Sequence, residues 1–353
     1  MDAWTLAPRK IAHVVGARPQ FIKLKPLVAA VAEAGGQNWI AHTGQHFDSS
    51  MNDSFWHELG LRPDYSGVWS DRIGDLNRLV AALKEAQVDA LVVYGDTDST
   101  LLGAKAALEL GIPLAHAEAG LRSFNDAMPE EYNRVWVDQR ANWLWAPTEG
   151  ALRQLRKEGL DTGHPWVDMP GDLMLDAFPR RPYRPGEGNK VLVTLHRNTN
   201  IDNPERLQGL EEALDGLARD YEVVWPRHPR HRAIGLSSTN VPDCQPMTRS
   251  AILEALHDAA WVITDSGGLQ KEAFFAGRRC IVLRSETEWT ELVESGWTAL
   301  INPDKPDLEA LIRAQFTAWQ ELGSPAVPEL YGDGRSAVRM AESLAAGLHI
   351  LNQ

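Results

Sequence analysis

The residues that most clearly indicate chemistry lie in the run 264–272, whose sequence is TDSGGLQKE. This run follows a strand-like apolar segment, 259–263, and precedes a helix-like one, 273–276. A strand that turns through Ser-Gly-Gly into a helix presents unpaired backbone N–H groups and the positive end of the helix dipole. The two glycines let the backbone approach an anion that a side chain would hold off. The run therefore predicts a phosphate site, and so a nucleotide or sugar nucleotide as ligand.

A second candidate anion site lies at the first predicted strand-to-helix turn, 16–23. Gly16 permits a tight turn, and Pro19 suits the first turn of a helix. Arg18 and Lys23 could both direct positive charge toward this loop, which would neutralise a diphosphate. The alternative is a solvated helix start, because arginine side chains are mostly exposed in any case.

Four carboxylates stand at positions that suit acid–base chemistry. Asp96 and Glu118 each follow an apolar strand, and Glu130 and Glu131 begin a helix. A carboxylate at a partly buried sheet edge can have its pKa moved toward neutrality, as acid–base catalysis requires. Each residue also has a structural explanation. Helix capping accounts for Asp96 taken alone, an exposed strand end for Glu118, and the helix dipole for one of the two glutamates.

His196 and Arg197 follow the predicted strand 191–195. A histidine at the carboxyl end of a strand would face a ligand cleft, where it could exchange protons near neutral pH. For a lone residue, however, a buried core histidine is the favoured explanation. Arg197 adds positive charge to the same strand end.

Composition argues against several classes of function. The formal net charge is −13 and no basic stripe offsets it, which argues against non-specific nucleic-acid binding. No run approaches the roughly 18 apolar residues of a membrane span, and residues 1–10 lack a secretory signal. The two cysteines, Cys244 and Cys280, are far apart in sequence. This is typical of a reduced cytoplasmic protein and indicates neither a disulfide framework nor a cysteine-ligated metal site. The phosphate-loop, dinucleotide-fingerprint and zinc-protease motifs are absent.

Strand and helix signals alternate along the 353 residues, which predicts two domains with parallel sheets covered by helices. Prolines at every third position near 179–185, followed by glycines, indicate a linker. We predict an α/β protein with two doubly wound Rossmann-like domains facing a cleft, 1–178 and 179–335. The last helix, about 336–353, could pack back on the first domain. In such sheets, functional residues gather at the carboxyl ends of strands, where Gln45, Asp96 and Glu118 fall.

Taken together, the motifs resemble those of the non-hydrolysing UDP-N-acetylglucosamine 2-epimerases over nearly the whole chain, 16–334. No single motif is decisive, but so many in the family's order are very specific. They are TGQH (43–46), YGDT (94–97), HAEAGLRS (116–123), PEEYNR (129–134), PTE (147–149), VTLHR (193–197), TDSGGLQKE (264–272) and RSETEW (284–289).

The resemblance implies a glycosyltransferase-B-like fold, a UDP-sugar substrate, a homodimer, and a reaction without redox cofactor or metal. In the family, UDP leaves across C1–C2 as the C2 proton is removed, and it adds back to a 2-acetamidoglucal with protonation from the opposite face. The positions that match the family's acids and bases are Asp96, Glu118, Glu130 and His196. The positions that match its substrate-binding residues are Arg18, Lys23, Gln45, His46, Arg197, Ser266, Gly267, Gly268 and Glu272, the last as the ribose partner.

Three features depart from the best-known bacterial members. Gln20 replaces a glutamate, although the residues after it continue a pattern seen in a subgroup. Phe47-Asp48 follows TGQH where allosterically regulated members carry a second glutamine, and the loop 64–71 is short. We therefore expect no activation by UDP-GlcNAc at a second site.

Four alternatives stay open. The first is a 2-epimerase of another UDP-sugar, such as a diacetamido-uronic acid. The subgroup features that allow this interpretation are Gln20, Phe47-Asp48 and Glu288-Trp289. The second is a hydrolysing epimerase that releases N-acetylmannosamine and UDP, since water exclusion decides the outcome. The third is a retaining glycosyltransferase on the same fold. The fourth is an inactive UDP-sugar-binding protein, against which the four acid–base candidates argue. Cell-surface polysaccharide and aminosugar antibiotic synthesis are both conceivable pathways.

Overall fold

The structure is a computed structural model that describes residues 5–45, 56–57, 59–163, 166–179, 188–227, 240–323 and 326–351. The chain divides into two compact units. The first comprises Met1–Ala177 and Glu329–Gln353, and the second comprises Phe178–Pro328. Most of the predicted proline-rich linker, 180–187, lies outside the described residues. None of the described helices is long and apolar enough to cross a membrane.

The described part of the first unit is built on a seven-stranded parallel sheet with the spatial order β3-β2-β1-β4-β5-β6-β7. Its strands are β1 (Lys10–Val15), β2 (Gln37–His42), β3 (Tyr65–Ser66), β4 (Ala90–Tyr94), β5 (Leu114–Ala117), β6 (Trp143–Trp145) and β7 (Trp166–Asp168). Its helices before the second unit are α1 (Arg18–Glu33), α2 (Arg72–Ala86), α3 (Asp98–Leu110), α4 (Pro129–Asp138), α5 (Glu149–Lys157), α6 (Leu160–Gly163) and α7 (Leu173–Ala177).

The second unit contains a five-stranded parallel sheet with the order β12-β11-β10-β8-β9. Its strands are β8 (Lys190–Thr194), β9 (Glu222–Val224), β10 (Trp261–Thr264), β11 (Arg279–Val282) and β12 (Thr298–Leu300). Its helices in the described residues are α8 (Asn198–Ile201), α9 (Pro204–Leu217), α10 (Arg249–Asp258), α11 (Gly267–Phe275), α12 (Thr290–Glu294) and α13 (Leu308–Leu322). The predicted α/β class, with two parallel Rossmann-like sheets, is confirmed.

The central strands of the first unit are nearly continuous apolar runs because both faces of the sheet are covered. All five residues of β4 and all four of β5 are buried. In the sheet β1 pairs with β4, and β4 pairs with β5 so that Tyr94 lies opposite Ala117. The turns after β1, β4 and β5 therefore come together at one edge, which is where Asp96 and Glu118 stand.

The last helix, α14 (Ser336–Leu351), belongs to the first unit although it follows the second in sequence. The side chains of Met340 and Leu344 lie in the same buried cluster as residues of α1 and β6. Both Asp176 carboxylate oxygens accept hydrogen bonds from the first turn of α14, from Ser336 N at 3.1 Å and Ala337 N at 2.7 Å. At its far end Gly347 lets the helix approach the stacked rings of Trp143 and Trp166.

A neutral histidine lies in the core of the first unit. His13 is fully buried on β1, with Nε2 2.8 Å from Asn38 Oδ1 and Nδ1 2.7 Å from the Tyr94 hydroxyl. The Asn38 amide nitrogen donates to Val28 O, so its oxygen faces His13 and Nε2 must carry the hydrogen. Burial lowers the pKa of His13 from 6.5 to about 4, against a smaller raising effect of the Asn38 hydrogen bond.

This histidine should make stability depend on pH. Between pH 6.5 and about 4 the unfolded chain holds the His13 proton and the folded chain does not, so stability falls as the pH falls. The shift corresponds to about 3 kcal/mol of unfolding free energy lost across this window. We expect His13→Gln, which keeps a donor and an acceptor, to flatten the slope of unfolding free energy in urea titrations over that range. Identical slopes for both proteins would show that His13 is not the source.

Candidate active site

At the edge of the first sheet, a buried ion pair joins two residues that lie far apart in sequence. The Lys23 ammonium of α1 contacts Oε2 of Glu118, which follows β5 directly. Both residues are less than a tenth exposed. Glu118 has a φ of +71°, a left-handed conformation that costs free energy in a non-glycine residue and often marks a functional site. The structure thus places the predicted diphosphate ligand Lys23 against a predicted acid–base residue.

Asp96 is held by residues of the PEEYNR motif. The Arg134 guanidinium contacts Asp96 Oδ2 and, at 3.1 Å, Glu131 Oε2. The Asn133 amide donates to the backbone oxygen of Asp96 at 2.9 Å. The Asp96 side chain stays about a third exposed, at 29%. Helix α4 therefore supplies both a positive charge and a backbone anchor to this carboxylate.

The two glutamates at the start of α4 have different surroundings. Glu131 is buried and accepts hydrogen bonds from Ser123 N and Ser123 Oγ, both at 2.8 Å, and from Phe124 N at 3.2 Å. Burial alone would raise the pKa of Glu131, but these donors and Arg134 outweigh it and lower the pKa. Glu130 is half-buried beside it. Sequence left open which glutamate is structural, and the contacts show Glu131 holding the 123–124 loop.

The remaining candidates of the first unit are Arg18, Gln45 and His46. Arg18 begins α1, and His46 lies outside the described residues. The Gln45 side-chain oxygen accepts from Ser99 N at 2.9 Å and Ser99 Oγ at 2.6 Å, which ties it to the start of α3.

Gln20 is a positioning residue whose role the sequence did not reveal. Its Oε1 accepts from Gly16 N at 2.7 Å and Ala17 N at 3.0 Å, while its Nε2 donates to Tyr94 O at 2.7 Å. One buried amide therefore connects the turn after β1 with the end of β4.

In the second unit, buried Asp265 organises the predicted catalytic histidine. Asp265 Oδ1 lies 3.0 Å from His196 Nδ1, and Oδ2 accepts from Arg197 N and Asn200 Nδ2, both at 3.0 Å. Burial alone would raise the pKa of Asp265, but the contacts with His196 and the other donors outweigh it and lower the pKa. The His196 side chain itself is 55% exposed, so the lone-histidine expectation of a core residue is wrong.

The Ser-Gly-Gly run forms the predicted turn between β10 and α11. Ser266 caps the helix, its Oγ accepting from Leu269 N at 3.3 Å. Gly267 and Gly268 are the first two helical residues, where backbone N–H groups have no partner within the helix. A Cβ at Gly267 would lie 2.4 Å from Glu288 Oε1, so the Glu288 side chain packs closely against this helix start. The geometry is that of an anion-binding helix start.

Glu272, the predicted ribose partner, lies one helical turn further along α11. Its Oε1 is 2.5 Å from Arg249 Nη2 of α10. Burial raises the pKa of Glu272, against the opposing charge of Arg249. No sequence signal indicated Arg249, because the contact joins two helices that meet only in the folded unit. Over the residues that the structure describes, no group of three or more His, Cys, Asp or Glu side chains could hold a metal ion.

Comparison with known proteins shows which family the chain resembles. The family model for UDP-N-acetylglucosamine 2-epimerase matches residues 30–345. The chain is 38% identical to the UDP-2,3-diacetamido-2,3-dideoxy-D-glucuronate 2-epimerase of Pseudomonas aeruginosa, over 95% of this chain and 99% of that one. It is 32% identical to the UDP-N-acetylglucosamine 2-epimerase of Methanocaldococcus jannaschii, over 96% and 99% of the two chains.

Solved structures show the same likeness. The crystal structure of Methanocaldococcus jannaschii UDP-GlcNAc 2-epimerase in complex with UDP-GlcNAc and UDP superposes with a TM-score of 0.81 at 31% identity. The match covers 95% of this chain and 99% of that chain. The two parallel α/β sheets agree with these matches. The chain therefore belongs to the UDP-N-acetylglucosamine 2-epimerase family.

Proposed function

We propose that the protein inverts the configuration at C2 of a UDP-linked 2-acetamido sugar. The observation that carries this proposal is the pair of carboxylates, Asp96 and Glu118, brought to one sheet edge and each matched with a different cation. Two proton transfers on opposite faces of a sugar need two acid–base groups in distinct environments. The anion-binding turn at Ser266 supplies what a departing UDP requires.

In the proposed reaction, a base removes the C2 proton while the bond between C1 and the UDP oxygen breaks. A C1=C2 double bond forms, which gives the 2-acetamidoglucal and free UDP. The reverse addition delivers a proton to the opposite face of C2 and restores the bond to UDP. We assign the acid–base roles to Asp96, Glu118, Glu130 and His196. Asp96 contacts the Arg134 guanidinium and Glu118 contacts the Lys23 ammonium, so the two carboxylates have different partners.

The UDP leaving group is assigned to the anion-binding turn of the second unit. The backbone N–H groups of Gly267 and Gly268, at the start of α11, would bind the phosphates. Ser266 caps this helix and would bind there as well. Glu272 would accept hydrogen bonds from the ribose hydroxyls, as a carboxylate fixed by Arg249. The other assigned substrate-binding residues are Arg18, Lys23, Gln45, His46 and Arg197.

UDP-N-acetylglucosamine, converted to UDP-N-acetylmannosamine, is the first candidate substrate. The Methanocaldococcus jannaschii structure with UDP-GlcNAc bound, at 31% identity, supports it. A second candidate is UDP-2,3-diacetamido-2,3-dideoxy-D-glucuronate. The 38% identity to the Pseudomonas aeruginosa enzyme of that name favours it, as do Gln20 and Glu288-Trp289.

Proton NMR in D2O tests the function and separates the two substrates. Each UDP-sugar is incubated with the purified protein and no other additive, and the C2 proton is followed. For the true substrate, we expect deuterium to be incorporated at C2 while the C2 epimer forms. Free N-acetylmannosamine with UDP would identify the hydrolysing reaction instead, and no exchange with either sugar would contradict the proposal. Turnover of UDP-N-acetylmannosamine alone is expected, because activation at a second site is not.

A further inference from the structure

The motif residue His116 has no part in the proposed chemistry, yet it is completely buried between two hydrogen-bond partners. Its Nε2 lies 2.7 Å from the carbonyl oxygen of Gly95, and its Nδ1 lies 2.6 Å from Asp138 Oδ1. Gly95 directly follows β4 and immediately precedes Asp96, and Asp138 is the last residue of α4. One imidazole ring therefore connects the catalytic turn with the helix that carries the PEEYNR motif.

The partners determine where the hydrogens of His116 lie. A carbonyl oxygen only accepts, so Nε2 must donate to Gly95. Asp138 Oδ2 already accepts from Arg122 Nη1 at 2.7 Å and from Gly120 N at 3.0 Å, which are the contacts of an ionised carboxylate. Burial alone would raise the pKa of Asp138, but His116 and Arg122 outweigh it and lower the pKa. Because an ionised carboxylate also only accepts, Nδ1 carries a hydrogen as well.

The charges around the ring balance in this state. Arg122 forms a two-point ion pair with Glu158, through Nε at 2.8 Å and Nη2 at 2.7 Å. With an imidazolium at His116, the formal charges alternate in sign along the row Glu158, Arg122, Asp138 and His116. Their sum is zero. Buried charges are tolerated when they are paired and hydrogen-bonded in this way.

The anchored carbonyl belongs to Gly95, which directly precedes Asp96 and lies close to Glu118. Gly95 has a φ of +63°, and its N donates to Ala117 O at 2.9 Å. A Cβ at Gly95 would lie 3.1 Å from Glu118 Oε2 and 3.9 Å from Lys23 Nζ. The peptide bond after Gly95 also begins Asp96. A rotation of this peptide would displace the Asp96 backbone, and Gly95 itself lies beside the Lys23–Glu118 pair.

We propose that His116 is a positioning residue, held as an imidazolium by Asp138, whose Nε2–H fixes the Gly95 carbonyl and so places Asp96 and Glu118. The proposal rests on the proposed function for its kinetic part, and its protonation state can be tested without turnover. A displacement of about 1 Å can reduce a rate by about 100-fold, so a large kinetic effect is expected from a residue that need not touch the substrate.

Two isosteric variants separate the two hydrogen bonds. In His116→Asn the amide nitrogen takes the place of Nδ1 and keeps the Asp138 bond, but it does not reach Gly95. In His116→Gln the amide nitrogen takes the place of Nε2 and keeps the Gly95 bond. We expect His116→Asn to lose about 100-fold in kcat, with UDP affinity unchanged, and His116→Gln to stay within about 10-fold of the parent protein. Equal losses in kcat that follow the losses in thermal stability would overturn the positioning role.

The second measurement needs no activity. In protein with 15N-labelled histidine, both ring nitrogens of His116 are expected to be protonated at pH 7. The charged groups near this ring are Arg122, Asp138 and Glu158. The signal is assigned by its absence in either variant. A ring with one unprotonated nitrogen at pH 7 would contradict the imidazolium. An absence of C2 exchange by the unaltered protein, with the imidazolium present, would instead count against the proposed function alone.

Discussion

Replacement of Glu118 by glutamine is expected to lower kcat for C2 epimerisation by about 10²–10⁴-fold, the usual contribution of a general acid or base. The amide keeps the size of the side chain but cannot take up a proton. Deuterium incorporation at C2 should fall in parallel, because proton removal and protonation at C2 are the steps affected. The measurement is the initial rate by proton NMR with saturating substrate, compared with the UDP dissociation constant of the same protein.

The ion pair with Lys23 complicates this variant and calls for a control. Removing the carboxylate leaves a buried ammonium without its partner, a change that destabilises proteins by about 3–5 kcal/mol. Thermal unfolding of Glu118→Gln therefore has to accompany the rates, measured below the unfolding transition. Glu109→Gln, an exposed change on α3, serves as the matched control and should alter neither quantity. A Glu118→Gln protein that is folded and keeps kcat within threefold of the parent would remove Glu118 from the acid–base set.

Gly120→Ala is expected to destabilise the first unit by about 3–4 kcal/mol, the sum of a left-handed backbone and an overpacked contact. Gly120 has a φ of +83°, and a Cβ there would lie 2.4 Å from the backbone oxygen of Ala151 and 2.8 Å from Leu155 Cγ. Both atoms belong to α5, and a helix backbone does not yield as the end of a flexible side chain does. Urea unfolding measures the loss, and hydrogen exchange of α5 amides should localise it.

A second glycine in the same unit separates the two contributions. Gly111 ends α3 with a φ of +65°, but a Cβ there meets no atom within 4 Å. Gly111→Ala therefore carries only the backbone cost of about 1–2 kcal/mol. The difference between the two alanine variants isolates the collision with α5. Equal losses at both positions would mean that α5 can shift at little cost.

Much of the architecture could be predicted because its signals are local. The apolar runs of β4 and β5 are buried on both faces, and the Ser-Gly-Gly turn at 266–268 occurs where a strand ends and a helix begins. The last helix, predicted at about 336–353, spans Ser336–Leu351 in the described residues. In each case neighbouring residues are sufficient to specify the element.

The contacts that give the candidate site its chemistry were not predictable in the same way. Lys23 and Glu118 meet only because β4 lies between β1 and β5 in the sheet, and Asp96 meets Arg134 only because α4 follows β5. Sequence offered Glu130 and Glu131 equally as acids at a helix start. The donors at Ser123 and Phe124 distinguish them, and those donors face α4 only after the loop has folded.

The return of α14 to the first unit has a consequence for biosynthesis. Its side chains complete a core whose other members, including Leu24 and Trp143, are translated before the second unit. At about 5–20 residues per second, the ribosome needs roughly 8–30 s to make the intervening second unit. During that interval the apolar surface that α14 later covers stays exposed on the nascent first unit. Exposed apolar surface of this kind is what chaperones bind. The core of the first unit is therefore completed last, although nearly all of its residues are synthesised first.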